Sequence, residues 1–246
     1  MASARAVKWA RGSFFIFSLT TCHFATLPFT ALWAGKISVV TTTEDLASIT
    51  KEIGKEEVDV VSIVKGFQNP HYIEAKPSFM RLLRRAKLFI RVGLDLEVAW
   101  APLLLEGSGN PELLPGAKGH LDASKGCEVL EKPMAKLDRS EGDIHLYGNP
   151  HYWLDPANGF IMADNIALKL EELMPESKEE FELNLKVFKS RLNDESKRWQ
   201  ERFKKHRGTK IVAYHNSWPN FAGAFGLEIV GFVEPKPGIH PSPVPH

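Results

Sequence analysis

The feature that most narrows the fold is a pair of β-branched runs, Ile37 to Thr41 and Val58 to Val64, with a helix-patterned segment from Glu44 to Ile53 between them and Gly54 marking its end. Strands that are apolar at nearly every position need cover on both faces, and a helix joining two of them lays them parallel. A βαβ unit follows, and the alternation continues. Pro77 to Ala86 has the spacing of a basic amphipathic helix, Leu88 to Gly93 reads as a third buried strand, and Leu94 to Leu105 as a further helix. Gly107 to Gly116 has loop composition, and Gly119 to Leu130 holds a short extended stretch. The expected fold class is α/β.

Downstream, Asp155-Pro156 is a helix start, with the aspartate as N-cap and the proline in the first turn. Ile161, Ile166, Leu168, Leu170 and Leu173 supply that helix's apolar residues, and Pro175 opens a longer one to about His206. At ~1.5 Å per residue the second helix runs about 45 Å, longer than a small lobe needs. Its apolar residues, Phe181, Leu185, Phe188, Leu192, Trp199 and Phe203, keep helical spacing in a charged background. It reads as a strut between two lobes; a long surface helix on one domain is the alternative. Lys210 to Tyr214 and Glu228 to Val233 are strand-like, with a short helix from Phe221 to Phe225 between them. Glu234 to Gly238 reads as a turn, and the proline-rich end from Ile239 to His246 fits neither helix nor sheet interior.

Two lobes divide as 36–174 and 207–246, with 175–206 connecting them and 1–34 as an export signal. Arg5, Lys8 and Arg11 give that leader a basic start, Ser13 to Phe29 is mostly apolar, and Ala31-Leu32-Trp33-Ala34 suits cleavage. Pro28 and interspersed polar residues argue against a spanning helix. Threonine ahead of Cys22 argues against a lipid anchor there. With that leader removed Cys127 has no intramolecular partner, so disulfides do not hold the fold, and Cys127 reads as a small buried apolar residue. Lys+Arg number 31 against Asp+Glu 30, so the molecule has no net field to draw nucleic acid, which is excluded as a partner.

The chemistry is carried by histidine. Asn69-Pro70-His71-Tyr72 and Asn149-Pro150-His151-Tyr152 repeat one tetrapeptide, each setting an imidazole on a proline-stiffened turn. His215 follows the strand Lys210 to Tyr214, as His71 follows the second strand, where open α/β sheets gather ligands. Neutral imidazole in such a place serves as a metal ligand, or as a turn histidine bonded to nearby carbonyls; the repeat favours the ligand. His145 is an accessory candidate or a solvated loop residue.

The motifs Gly66-Phe-Gln-Asn-Pro-His71-Tyr-Ile-Glu-Ala-Lys-Pro-Ser78, Val92-Gly-Leu-Asp-Leu-Glu97, Gly148-Asn-Pro-His-Tyr-Trp-Leu-Asp-Pro156, Tyr214-His-Asn-Ser-Trp-Pro219 and Val233-Glu-Pro-Lys-Pro-Gly238 run in one order. In this they resemble the solute-binding proteins of ABC-type zinc/manganese uptake systems. The resemblance implies two α/β lobes joined by one rigid helix, with the ion in the cleft between them. It implies His71 and His151 as first-lobe ligands and His215 as a second-lobe ligand. It also implies a partial second lobe here, lacking the acidic fourth ligand usual late in that lobe; Glu234 or His246 is the candidate substitute. His240 stands where the family tends to have proline, and the histidine-rich acidic loop of many zinc-binding members is reduced to His145.

The leading expectation is a monomeric, periplasmic or otherwise extracytoplasmic protein that captures Zn²⁺, or Mn²⁺ if a carboxylate completes the site, and delivers it to an ABC permease without catalysing a reaction. The alternatives are an exported zinc hydrolase, since three histidines with an open position can activate water, and a metal-binding adhesin or non-functional fragment. Neither a His-Glu-x-x-His helix nor a Gly-x-Ser-x-Gly elbow is present to favour the hydrolase.

Overall fold

In the computed structural model, which describes residues 35–133 and 145–234, the apolar runs form a parallel sheet. Strand β1 (Ile37–Thr41) lies between β2 (Val58–Ser62) and β3 (Leu88–Arg91), with β4 (His120–Asp122) beyond β3, giving the order β2-β1-β3-β4. The chain steps from β1 to one side and then to the other. The crevice at the C-terminal ends of β1 and β3 is therefore a topological switch point, where sheets of this kind bind ligands. Helices α1 (Glu44–Gly54), α2 (Pro77–Arg85) and α3 (Ala101–Ser108) are the crossovers.

The central strands β1 and β3 are covered on both faces, as their largely apolar runs require, while the edge strand β2 turns Asp59 and Val61 outward. Val39, Leu88 and Ile90 pack with Leu46 and Ile53 of α1, and with residues of the later helices α4 (Pro156–Leu173) and α5 (Lys178–Phe203), among them Ile166, Leu170 and Phe181. Val40 and Phe89 face the other way, against Leu83 of α2 and Trp100 and Leu104 around α3. Cys127 packs beside the first core; burial pushes its thiol up to about 12, so it is an apolar filler rather than a nucleophile.

Helix α4 has the expected bounds. The Asp155 carboxylate accepts the Ala157 N–H at 2.8 Å, which satisfies an otherwise orphan donor of the first turn. Leu168, counted among its apolar residues, faces outward at 63% exposure. Of the helix expected from Leu94 to Leu105, only the part from Ala101 forms; Leu94 to Trp100 are turns. Gly93, Leu94 and Asp95 take positive φ (86°, 52° and 65°), and the buried Glu97 carboxylate accepts the N–H groups of Val92 at 2.7 Å and Gly93 at 3.1 Å. That side-chain bond closes a turn over the end of β3, so α3 starts only at Ala101 and runs on to Ser108, into the segment read as loop.

Short 3₁₀ turns at Pro175–Ser177 and Lys204–His206 flank α5, so the helical path has the expected extent. Its first half is pinned to the first lobe: Asn184 Nδ2 donates to the Ile53 carbonyl at 3.0 Å, and Lys189 and Arg191 pair with Asp164 and Glu52. Its second half carries the next βαβ unit, β5 (Lys210–Ala213), α6 (Pro219–Phe225) and β6 (Glu228–Phe232), whose strands pair in parallel. Phe203 of α5 stacks on Phe225 of α6 with ring centres 4.5 Å apart. The helix thus joins two βα lobes, as the sequence indicates. None of the described helices is long and apolar enough to cross a membrane. The leader 1–34 with Cys22, most of the polar loop around residue 140, and the tail with His240 and His246 lie outside the described residues.

Candidate metal centre

The two Asn-Pro-His turns fold alike because the same side chain does the same work in each. Asn69 Oδ1 accepts the His71 N–H, and Asn149 Oδ1 accepts the His151 N–H, both at 3.0 Å. These are Asx turns, in which the amide mimics a backbone turn two residues on. Each is tied to the scaffold. The Pro70 carbonyl accepts the Trp100 indole N–H at 2.9 Å, and the Tyr152 hydroxyl donates to the Val92 carbonyl, at the end of β3, at 2.8 Å. His71 and His151, 6% and 4% exposed, meet with their Nε2 atoms 3.3 Å apart.

His215 arrives from the second lobe. The β5–β6 ladder continues past the strands through Val233 N–H to the Ala213 carbonyl and Glu234 N–H to the Tyr214 carbonyl, which brings Glu234 beside His215. Glu234 Oε2 accepts from His215 Nδ1 at 2.7 Å. The ligating atoms of His71, His151 and His215 all lie within 4.8 Å of one another. Sequence reasoning named all three, and the fold brings them together from three separate segments at the C-terminal ends of strands and the entry to α4.

The geometry fits one ion. At a metal–nitrogen distance of about 2.0–2.1 Å, two tetrahedral ligands have nitrogens about 3.3–3.4 Å apart and, with the ring centre some 1.2 Å behind the nitrogen, ring centres about 5.3 Å apart. The ring centres of His71–His151, His71–His215 and His151–His215 stand 5.2, 5.3 and 5.5 Å apart.

Tautomers follow from the partners. The Asn149 Nδ2 donates to the Asn216 carbonyl and to Glu131 Oε2, both at 2.9 Å. Those partners only accept, so they fix which end of the amide is NH₂, and Oδ1 must face His151 Nδ1, 2.9 Å away. Nδ1 then carries the proton and Nε2 presents its lone pair to the site. Glu234 does the same for His215 by holding its Nδ1–H. The carboxylate considered above as a fourth ligand is therefore bonded to the far side of the His215 ring.

Burial, and then the charges of His145 and His215, push the His71 imidazole down to about 3. Burial, with His71, His215 and His145 adding, holds His151 well below the ordinary histidine value. Both rings are neutral at physiological pH, the form that binds metal. Asn149, Glu131 and Asn216 escaped notice as functional residues. Asn149 stood inside a quoted motif, but its contacts with Glu131 and Asn216 depend on the fold. His145 is not the solvated loop residue considered above: it is half-buried, with its ring centre 5.0 Å from that of His71. An apolar cleft of about 480 Å³ between α1, α4, α5 and α6, lined by Trp153, Phe188, Trp199 and Phe221 among others, contains none of these histidines.

Residues 39–244 match the family model ZnuA, zinc-uptake complex component A periplasmic. The chain belongs to this family. Over 199 residues it is 31% identical to the metal ABC transporter substrate-binding lipoprotein ScbA of Streptococcus cristatus, covering 79% of this chain and 61% of that one. It is 32% identical over 197 residues to the manganese ABC transporter substrate-binding lipoprotein PsaA of Streptococcus mitis, covering 78% and 60%. The chain thus spans about 60% of the length of these relatives. Its fold is similar to that of a crystal structure of ZnuA, with a TM-score of 0.70, 26% identity, and coverage of 85% of this chain and 75% of that one. The metal-dependent lipoprotein YcdH of Bacillus subtilis is also similar, with a TM-score of 0.62, 26% identity, and coverage of 80% and 67%. Members of this family are substrate-binding proteins.

Proposed function

We propose that this ZnuA-family chain is an extracytoplasmic solute-binding protein. In this reading it takes up a divalent transition metal at His71, His151 and His215 and hands the ion to an ABC permease. The observation that carries the proposal is the convergence of three imidazole nitrogens from distant segments within 4.8 Å of one another. Two of these rings are buried and neutral. Clustering imidazoles out of water is costly unless a cation compensates it, and capture of an ion supplies that compensation.

Zinc is the favoured cargo, because an all-nitrogen shell suits it better than manganese, which prefers oxygen donors. Among the relatives, both zinc and manganese appear in the names. Residues 36–174 act as the metal-binding lobe, 175–206 as the connecting helix, and 207–246 as the second lobe that brings His215 to the ion. The chain acts as a monomer, exported by its first 34 residues. No bond is made or broken: the carboxylate nearest the rings, Glu234, is engaged in orienting His215.

Competition titration with a chromophoric chelator tests the reading. His71→Ala, His151→Ala and His215→Ala should each weaken zinc binding by at least about tenfold, since even loss of a residue that only supports a ligand costs about 10–100-fold. Unchanged affinity in all three variants rejects it.

A further inference from the structure

We propose that the apolar cleft between α1, α4, α5 and α6 is a second ligand site, which takes a small organic cation with an apolar body, an aryl- or alkylammonium ion. The site is separate from the metal centre, since none of the clustered histidines lines it. Its volume of about 480 Å³ falls within the about 300–1,000 Å³ of small-molecule sites, which favour seams of this kind between domains.

The walls are aromatic and come from both lobes. Trp153 stands in the turn before α4, Phe188, Trp199 and Phe203 on α5, and Phe221 and Phe225 on α6. Phe203, Phe221 and Phe225 brace one another with ring centres 4.5, 4.8 and 5.5 Å apart, so that side of the cleft is already built. Trp153, Phe188, Trp199 and Phe221 are only half-buried and leave ring surface open to an occupant.

A single carboxylate gives the cleft its sign. Asp45 of α1 is the one ionisable side chain among the described lining residues. It pairs with no Lys, Arg or His of the described residues, whereas its neighbour Glu44 accepts the Gly66 N–H at 2.7 Å and pairs with Lys65. Burial raises the Asp45 carboxyl above the ordinary aspartate value, and the charge of Glu44 adds to the rise. A cation in the cleft offsets both effects. An acidic first turn also suits the dipole of α1, but Glu44 fills that role whether or not rings stand opposite.

Ring faces together with a carboxylate select an ammonium ion carried on hydrocarbon. An uncharged ligand would leave the carboxylate dehydrated, an anion would be repelled, and a bare metal ion would find one carboxylate and no further charged donor.

The test is calorimetric titration of the metal-free chain with benzyltrimethylammonium and with its uncharged isostere neopentylbenzene. The wild type should bind one equivalent of the cation and hold the isostere at least about tenfold more weakly, since the isostere forfeits both the ring and the carboxylate attraction. Asp45→Asn and Trp199→Leu should each weaken the cation at least about threefold. Zinc affinity and metal-free thermal unfolding, unchanged in both, show that the variants fold; Asp45→Asn keeps the side chain's size and carries the test if Trp199→Leu unfolds. Equal binding of the isostere, unchanged cation affinity in Asp45→Asn, or no saturable binding by the wild type at about 10 mM cation overturns the proposal. Self-association that Trp199→Leu abolishes, in a chain that ignores the cation, assigns the cleft to a second copy and overturns it too.

Discussion

Replacing Asn149 with alanine should damage the centre without removing any proposed ligand, because this one amide sits where the two lobes and a ligand meet. It is 5% exposed and makes four hydrogen bonds, two accepted from His151 (N–H and Nδ1) and two donated, to the Asn216 carbonyl and the Glu131 carboxylate. At about 0.5–1.5 kcal/mol net for each of the four bonds, Asn149→Ala should lower the stability of the metal-free protein by about 2–6 kcal/mol. It also frees the His151 ring to rotate or change tautomer, and loss of such an orienting partner costs about 10–100-fold in metal affinity. Chelator competition gives the affinity directly. Thermal unfolding at fixed free zinc gives it independently, since a hundredfold weaker site loses up to about 2.7 kcal/mol of ligand-induced stabilisation. Asn149→Asp separates the two roles: it keeps an acceptor toward His151 but loses both donors and sets a second carboxylate against Glu131. Stability should fall as in the alanine variant while zinc affinity falls less. Asn149→Ala binding zinc within about threefold of wild type would refute the orienting role, being well short of the expected 10–100-fold.

Acidification should destabilise the metal-free chain. The His71 imidazole is held near 3 against an ordinary value of 6.5, so the unfolded state binds the extra proton between those limits. Its contribution is fully present above about pH 6.5 and is lost as pH falls toward 3, amounting to about 2 kcal/mol by pH 5 for this ring, with His151 acting in the same direction. Denaturant titrations at pH 7.5 and 5 measure it; a drop between the two that is smaller after His71→Ala, with the remainder left to His151, assigns the effect. Glu234→Ala should release the His215 ring and weaken zinc binding about 10–100-fold with little change in the unfolding of the first lobe, as read by titration and circular dichroism. Phe225→Ala removes a 4% exposed ring that stacks between α5 and α6, and should cost about 3–5 kcal/mol in denaturant unfolding. Because that contact helps hold β5 and β6 in place, zinc affinity should fall with it.

Local chemistry made much of the fold legible. β1 and β3 were legible because strands covered on both faces are largely apolar, and β2 because buried Val58 and Val60 alternate with exposed Asp59 and Val61; Asp155-Pro156 gave the start of α4 because capping is settled within one turn. The segment from Leu94 to Trp100 was not legible in this way. Its apolar spacing is helical, but the Glu97 carboxylate bonds back to Val92 and Gly93, and that depends on where β3 ends. The three histidines were visible through a repeated tetrapeptide and their places after strands. The groups that orient them were not. Glu234 reaches His215 only through the β5–β6 register, and Asn149 reaches Asn216 only when the lobes meet. His145, read from its polar neighbours as loop, is half-buried beside His71 only because the fold brings its segment there.

Anomalous diffraction at the zinc edge, from crystals of the chain grown with one equivalent of zinc, tests the central claim most directly. The account predicts a single strong peak about 2.0–2.1 Å from a ring nitrogen of each of His71, His151 and His215. A zinc peak elsewhere on the chain, with those three rings left uncoordinated, would contradict it.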